Sequence, residues 1–196
     1  MTAPVKSASE SEEARLIDVL ALAFVADPAA RWVWPDPHKY LVHFPHFARA
    51  FGGRAFAHGS AYYTEGYSGA ALWLPPNVHP DQEALAAILQ STVREQVQKE
   101  AFAVFDQMGS YHPAEPHYYL PLLGVDPSQH GRGLGSALMQ HAIGRCDREN
   151  KVAYLESSNP KNVPFYQKHG FELLGKIQAG SSPVIFPMLR KPRPAA

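Results

Sequence analysis

The sequence predicts a single α/β domain built on one mixed sheet. Three observations carry this. Strand-like and helix-like segments alternate through the second half of the chain. Prolines and glycines punctuate them at short intervals. The 196 residues suit one hydrophobic core of ordinary size. No internal repeat and no linker of domain-boundary quality interrupts the chain, so residues 1–196 are expected to form one domain, with 1–10 frayed.

The elements follow in order. "SEEARLIDVLALAF" places Leu16, Val19, Leu20 and Ala23 at helical spacing, with Ser11 as a candidate N-cap and acids in the first turn. Asp27-Pro28 ends it, and "RWVWPDP" is expected to be a loop. "HKYLVHFPHFARAFG" has a helical pattern interrupted at Pro45. "AYYTEGYSGAALWLPP" predicts two strands joined at Glu-Gly and stopped by the proline pair. Residues 81–108 form the longest amphipathic stretch, with a break inside it. "HYYLPLLGV" predicts a buried strand, "GLGSALMQHAIGRCDREN" a helix and "VAYLES" a short strand. "NVPFYQKHG" predicts a short helix closed by Gly170, and "FELLGKIQ" and "VIFPMLR" the last strands.

Composition excludes several classes. Lysine plus arginine and aspartate plus glutamate both total 18, and 45% of residues are apolar. A non-specific nucleic-acid binder carries a basic excess, which is missing here. No apolar run reaches the roughly 18 residues that a membrane span needs. "MTAPVKSASESEE" lacks the apolar core of a signal peptide. The lone Cys146 has no internal disulfide partner, which fits a reducing cytoplasm. Ten histidines raise the question of a metal, but HExxH and CxxC are absent, and His43 and His46 have no acidic neighbour. No metal is expected.

The informative segment is "LLGVDPSQHGRGLGSALM". Gly131, Gly133 and Gly135 stand between a predicted strand and a predicted helix. A helix N-terminus directs its first free N–H groups outward and carries about half a positive charge. Glycines let such a backbone approach an anion closely and allow positive φ. Arg132 adds charge, or faces water. A purely structural turn remains the alternative. A P-loop is excluded because no Lys-Ser/Thr pair follows the glycines. Leu138 stands where the dinucleotide fingerprint has its third glycine, although Glu156 lies 21 residues beyond Gly135, near the ribose-binding distance.

Together with "YLESSNPKNVPFYQKHGF", about 30 residues further on, this segment resembles the acetyl-CoA-binding half of the GNAT superfamily of N-acetyltransferases. The wording is closest to the puromycin N-acetyltransferase-like branch. The resemblance covers Tyr118 to about Leu189 well, and implies a cofactor-binding half of about 117–190. The N-terminal 110 residues follow it only in element order and in "DP" and "LWLPP". It implies a mostly antiparallel central sheet, splayed between two strands and flanked by helices, with acetyl-CoA as cosubstrate. It also accounts for Pro121 inside a buried strand, where a missing N–H marks a bulge. Leu123, Gly124 and Val125 then supply backbone contacts to the pantetheine arm, and Val125 N–H matches the oxyanion donor. His130 stands where the family has Gln or Arg. The loop from His130 through Gly131, Arg132, Gly133 and Leu134 to Gly135 and Ser136 matches the pyrophosphate cradle.

Acetyl transfer to an amine needs a neutral amine, whose free pKa is about 10.4. It also needs a donor for the developing oxyanion and a proton for the departing thiolate. The resemblance assigns that last role to Tyr166; a core tyrosine capped by a backbone group is the alternative. Asn159 matches a cofactor-contacting asparagine, or it caps the turn before Pro160. Glu156 is the candidate base, equally a structural carboxylate capping the "SSN" turn, and His117 is an outside candidate. Tyr119 falls where some relatives carry a carboxylate; it makes a poor base and is expected as an acceptor-site wall. Trp32 and Trp34 are candidate acceptor-pocket walls, although core filling is the commoner fate of such residues. The expected function is an acetyl-CoA-dependent N-acetyltransferase acting on a small-molecule primary amine by direct attack in a ternary complex, as a monomer or homodimer. Two other classes stay open: an acetyl-CoA-binding module without catalysis, and a protein or peptide acetyltransferase. For the last, no acidic run is present to hold a basic peptide.

Overall fold

The computed structural model describes residues 3–193. Seven strands form one sheet in the order β1-β2-β3-β4-β5-β7-β6. They are β1 (Val5–Ser7), β2 (Ala61–Thr64), β3 (Gly69–Leu74), β4 (Tyr118–Val125), β5 (Ala153–Ser157), β6 (Glu172–Leu173) and β7 (Phe186–Arg190). Every neighbouring pair is antiparallel except β4 and β5. Seven α-helices cover the two faces: α1 (Glu13–Ala23), α2 (Pro28–Val33), α3 (Pro37–Gly52), α4 (Gln82–Thr92), α5 (Glu95–Tyr111), α6 (Leu134–Arg148) and α7 (Val163–Lys168). The expected mixed, mostly antiparallel sheet with flanking helices is the observed one.

Side-chain alternation sorts the core into two layers. Ala70, Leu72 and Leu74 of β3 face the layer that holds α1 and α3, while Ala71 and Trp73 face the layer that holds α6 and α7. β4 begins in the same manner, with Tyr119 on the α1 side and Tyr118 and Leu120 on the α6 side. Leu122 then lies on the α1 side, which strict alternation from Leu120 forbids. The register explains it. Leu72 opposes Leu122 but Leu74 opposes Tyr119, so β4 takes three steps where β3 takes two. The extra residue is a β-bulge at Leu120–Pro121, where proline's missing N–H costs least. The bulge expected at Pro121 is present.

That bulge also ends the pairing with β5. β4 and β5 run side by side only through Tyr118, Tyr119 and Leu120. From Leu122 to Val125 the strand pairs with β3 alone. Asp126 N–H donates to Ser68 O (2.9 Å). By the alternation of an antiparallel ladder, Leu122 and Gly124 also bond toward β3, and Leu123 and Val125 turn their backbone groups into the splay.

Several local expectations are corrected. Residues 5–7 are not frayed: Val5, Lys6 and Ser7 pair with Thr64, Tyr63 and Tyr62 as an edge strand; Met1 and Thr2 lie outside the described residues. Ser11 is not a cap: a 3-10 turn over Glu10–Glu12 precedes α1, and Ser9 caps that turn in a capping box with Glu12. "RWVWPDP" is helical in its first half, because Asp27 accepts from Ala29 N and Ala30 N and caps α2 with Pro28 in the first turn. α3 continues through Pro45; the carbonyl that loses its partner belongs to the exposed Leu41. "FELLGKIQ" yields only the two residues of β6 and an isolated bridge from Ile177 to Ile185. The break in 81–108 falls at Val93–Arg94, between α4 and α5.

Gly124 permits α1 to sit against β4. A Cβ at this position comes within 2.6 Å of Ala23 Cβ and 3.3 Å of Leu20 Cδ2. Overpacking of this kind costs about 1–3 kcal/mol. Gly124→Ala therefore lowers the melting temperature by roughly 2–12 °C, at about 2–4 °C per kcal/mol for a domain of this size. A melting temperature equal to wild type shows instead that α1 yields at no cost.

Candidate active site

The loop that follows β4 is held by short-range bonds. Asp126 accepts from Ser128 N (2.8 Å) and starts a 3-10 turn over Pro127–Gln129. His130 Nε2 reaches Val125 O (3.1 Å) and draws the loop back onto the strand end. The carbonyl can only accept, so this nitrogen carries the proton. Gly131 and Gly133 have φ of +79° and +78°, and Gly133 is the left-handed cap of α6. No side chain caps α6, so the N–H groups of Leu134, Gly135 and Ser136 open toward the cleft beside the loop. Buried Arg190 anchors α6 from behind through two bonds to Asp147 (2.7 and 2.8 Å).

The cleft has a volume of about 550 Å³ and runs between the free edge of β4 and α7. Leu123, Gly124 and Val125 line it, as do His130, Gly131, Gly133, Leu134, Gly135 and Ser136. Asn159 and Tyr166 form the opposite wall. Arg132 does not line the cleft and is exposed. The Ser136 hydroxyl is already engaged with His169 Nε2 (3.2 Å), so only its backbone is free. The Asn159 side chain accepts from Lys161 N (3.0 Å), which makes it a turn cap as well as a wall. The conformational argument for glycine holds at positions 131 and 133. At Gly135 φ is not positive, and a Cβ meets Phe165 at an ordinary 3.6 Å.

A second cavity, about 130 Å³, lies on the α1 side of the sheet. Its walls are mostly apolar and include Trp32, Trp34, Phe47, Phe51 and Phe105. Trp34 is also core: it is buried, and its Nε1 donates to Thr92 Oγ1 (3.0 Å). Trp32 Nε1 donates to Ser181 Oγ (3.1 Å). The cavity meets the cleft at Phe24, Asp27, Leu123, Asn162 and Tyr166.

Two carboxylates stand in this cavity. Glu156, on β5, has a side chain only 2% exposed. Its Oε1 lies 3.3 Å from His112 Nε2 without forming a hydrogen bond to it, and has no hydrogen-bond donor. Asp27 is buried; its Oδ2 accepts from Ser158 Oγ (2.6 Å) while Oδ1 caps α2. Burial pushes the Asp27 carboxyl up, against the opposing pull of Ser158 and the two backbone N–H groups. Tyr166 is buried at the junction. Burial first, and then the Asp27 charge, hold its hydroxyl well above the ordinary tyrosine value, so it is protonated through the neutral range.

Two candidate residues lie outside the second cavity. Tyr119 does not line it. It lies upstream of the bulge, where β4 still pairs with β5, and it packs edge-on against His112 (4.7 Å between ring centres). His117 does not reach Glu156, because His112 stands between them. Asp27 and His112 were missed altogether. Asp27 was legible only as a helix stop before Pro28, and His112 sits in "SYHPAEPHYY", which has no periodicity to mark it.

Comparison with known proteins agrees with this fold. The model of the acetyltransferase (GNAT) family matches residues 23–171. The chain belongs to that family. Among solved structures, this GNAT chain is similar to a Corynebacterium glutamicum protein described as histone acetyltransferase HPA2 and related acetyltransferase, at 24% identity and a TM-score of 0.70 over 100% of this chain and 99% of that one. It is similar to arylalkylamine N-acetyltransferase 2 of Aedes aegypti at 14% identity and a TM-score of 0.69, over 98% and 100%. It is also similar to the polyamine N-acetyltransferase of Drosophila melanogaster, at 14% identity and a TM-score of 0.59, over 96% and 99%. An uncharacterised N-acetyltransferase of Schizosaccharomyces pombe is 37% identical over 54 residues, which span 28% of this chain and 22% of that protein. Among the described residues of this GNAT chain, no group of three or more metal-ligating side chains could hold an ion, and no helix is long and apolar enough to cross a membrane.

Gly133 separates backbone strain from steric blockage at the loop. Nothing lies within 4 Å of a Cβ there, yet φ is +78°, a conformation that costs a non-glycine residue about 1–2 kcal/mol. In calorimetric titration with CoA, Gly133→Val binds at least about tenfold more weakly. Wild-type affinity in Gly133→Val would mean that the loop conformation does not matter for binding.

Proposed function

We propose that this GNAT protein is an acetyl-CoA-dependent N-acetyltransferase whose acceptor is the primary amine of a small molecule with an apolar, aromatic body. One observation carries the reading. The cleft and the aromatic cavity meet at Tyr166 and Leu123, and the cavity presents a buried Glu156 carboxylate with an oxygen that no donor satisfies. A buried acceptor without a partner costs about 1–3 kcal/mol, and an amine is the donor that relieves it. The arylalkylamine and polyamine acetyltransferases among proteins of similar fold act on small amines. The aromatic walls here favour the former class of acceptor. The wording of "YLESSNPKNVPFYQKHGF" adds the puromycin acetyltransferase-like branch to this reading.

Acetyl-CoA, when bound, supplies an activated acetyl thioester. The chain's own groups fit it. Leu123 and Val125 offer unpaired backbone donors and acceptors along β4, save that His130 already occupies Val125 O. The uncapped N–H groups at Leu134, Gly135 and Ser136 suit a pyrophosphate. Leu123 lines both cavities and Val125 only the cleft. The backbone donor toward the acetyl oxygen is therefore Leu123 N–H, not Val125 N–H. Tyr166, held protonated by burial, donates to the departing sulfur. Glu156 takes the proton of the ammonium at Oε1, the oxygen that no donor satisfies.

CoA at 100 times its Kd stabilises the fold by about 2.7 kcal/mol, read as roughly 5–10 °C in melting temperature. No shift at millimolar CoA defeats the cosubstrate assignment. Tyr166→Phe deletes one hydroxyl and preserves packing. Single-turnover acetyl transfer slows by about 10²–10⁴-fold, with the Kd for acetyl-CoA nearly unchanged. An unchanged single-turnover rate removes Tyr166 from the chemistry. If wild type binds acetyl-CoA but acetylates no amine, the protein is instead a binding module.

A further inference from the structure

The size and the polarity of the cavity on the α1 side together restrict what can enter it. Its volume is about 130 Å³. A cavity of about 150 Å³ lined by apolar side chains takes up one benzene ring. There is room here for a single ring and none for a fused pair. Every lining residue that α3, α4 and α5 contribute is apolar, among them Phe47, Phe51, Leu89, Phe105 and Met108.

The walls are held in place. Segment 177–185 supplies one wall through Ser182, Pro183 and Ile185. Two backbone bonds between Ile177 and Ile185 close its base, each 2.9 Å. Its tip is fixed at Ser181, whose N and Oγ donate to Glu100 Oε2 on α5 (2.9 and 2.6 Å). The same hydroxyl oxygen accepts from Trp32 Nε1 (3.1 Å) and so holds the Trp32 wall. On the helical side, Trp34 is tied to Thr92, and Phe105 meets Phe51 edge to face (6.1 Å between ring centres).

The polar groups around the cavity are already engaged. Both indole N–H groups have acceptors. Ser157 Oγ donates to Asn159 O (3.0 Å), Ser158 Oγ donates to Asp27, and Ser182 Oγ accepts from Ala179 N (3.0 Å). A ring hydroxyl directed toward α3, α4 and α5 therefore stays unpaired, which weakens binding by about tenfold or more. Charge restricts the acceptor further. Among the described residues that line the cavity, Asp27 and Glu156 are the only charged side chains, with no lysine, arginine or histidine to balance them. An ammonium is favoured beside them. A carboxylate on the acceptor would be a third buried acid with no cation to pair it.

We propose that the acceptor is an arylalkylamine with one ring, no ring hydroxyl and no carboxylate, and that Phe105 sets the limit on ring size. The inference rests on the aromatic-amine reading above and narrows it. Phe105 is half-buried at the edge of the core, so truncating its ring widens the cavity without emptying the core.

Calorimetric titration in the presence of CoA compares 2-phenylethylamine, tyramine, tryptamine and phenylalanine without turnover. 2-Phenylethylamine binds at least about tenfold more tightly than tyramine or tryptamine, and phenylalanine does not bind. The kcat/KM values with acetyl-CoA follow the same order. Phe105→Ala shifts the ratio of tryptamine to 2-phenylethylamine affinity by about tenfold or more toward tryptamine. Tyramine or tryptamine binding as tightly as 2-phenylethylamine to wild type, or phenylalanine binding at the same concentrations, overturns the proposal. A folded Phe105→Ala with the wild-type ratio overturns the role of Phe105; if that variant does not fold, the wild-type order alone decides. A wild type that binds the four compounds in the expected order but transfers no acetyl group defeats the enzyme reading and leaves the fit standing. One that acetylates amines in another order defeats the fit alone.

Discussion

One irregularity in one strand organises the site. The bulge at Leu120–Pro121 ends the pairing of β4 with β5 and reverses the side-chain phase of β4. Upstream of it, Tyr118, Tyr119 and Leu120 are ordinary sheet. Downstream, Leu123 and Val125 keep unpaired backbone groups that no other strand reaches. An edge with free N–H and C=O groups is a template for an added strand, and a pantetheine arm with two amides is chemically such a strand. The splay also separates the ends of β4 and β5 enough to join a cleft on one side of Tyr166 to a cavity on the other.

The bulge is in turn held by its surroundings. Gly124 lets α1 lie against the free half of β4, and His130 ties the loop back to Val125. Asp27 is shared among several duties. It caps α2, accepts from Ser158, and places a carboxylate near the Tyr166 hydroxyl. Burial raises the proton affinity of both groups. Tyr166 therefore sits in a buried junction beside a carboxylate whose oxygens already accept hydrogen bonds, which keeps the phenol protonated through the neutral range.

The loop and the bulge were legible in the sequence because they are written locally. Gly131 and Gly133, the proline in β4 and the helix that follows are contiguous, and each carries its own backbone argument. The cavity on the α1 side was not legible, because its parts meet only through packing. Glu156 could be named but its partner could not: His112 is 44 residues away in sequence and reaches Glu156 only because α5 ends beside β5. Tyr119 shows a related limit. Its position relative to the bulge, one residue before Leu120, decides which cavity it can line. Asp27 had a visible role as a helix boundary, and that role concealed a second one. The helix through Pro45 and the edge strand at Val5–Ser7 show the same limit: tertiary packing stabilises what local propensity disfavours.

The central claim is that CoA lies along the free half of β4 and against the N-terminus of α6. Titration of 15N-labelled protein with CoA, followed by backbone amide spectra, tests it residue by residue. The account predicts that the amides of Leu123, Val125, Leu134, Gly135 and Ser136 shift and saturate together, while those of β6 and β7 stay in place. Saturable shifts confined to other surfaces, with these five amides unmoved, would contradict it.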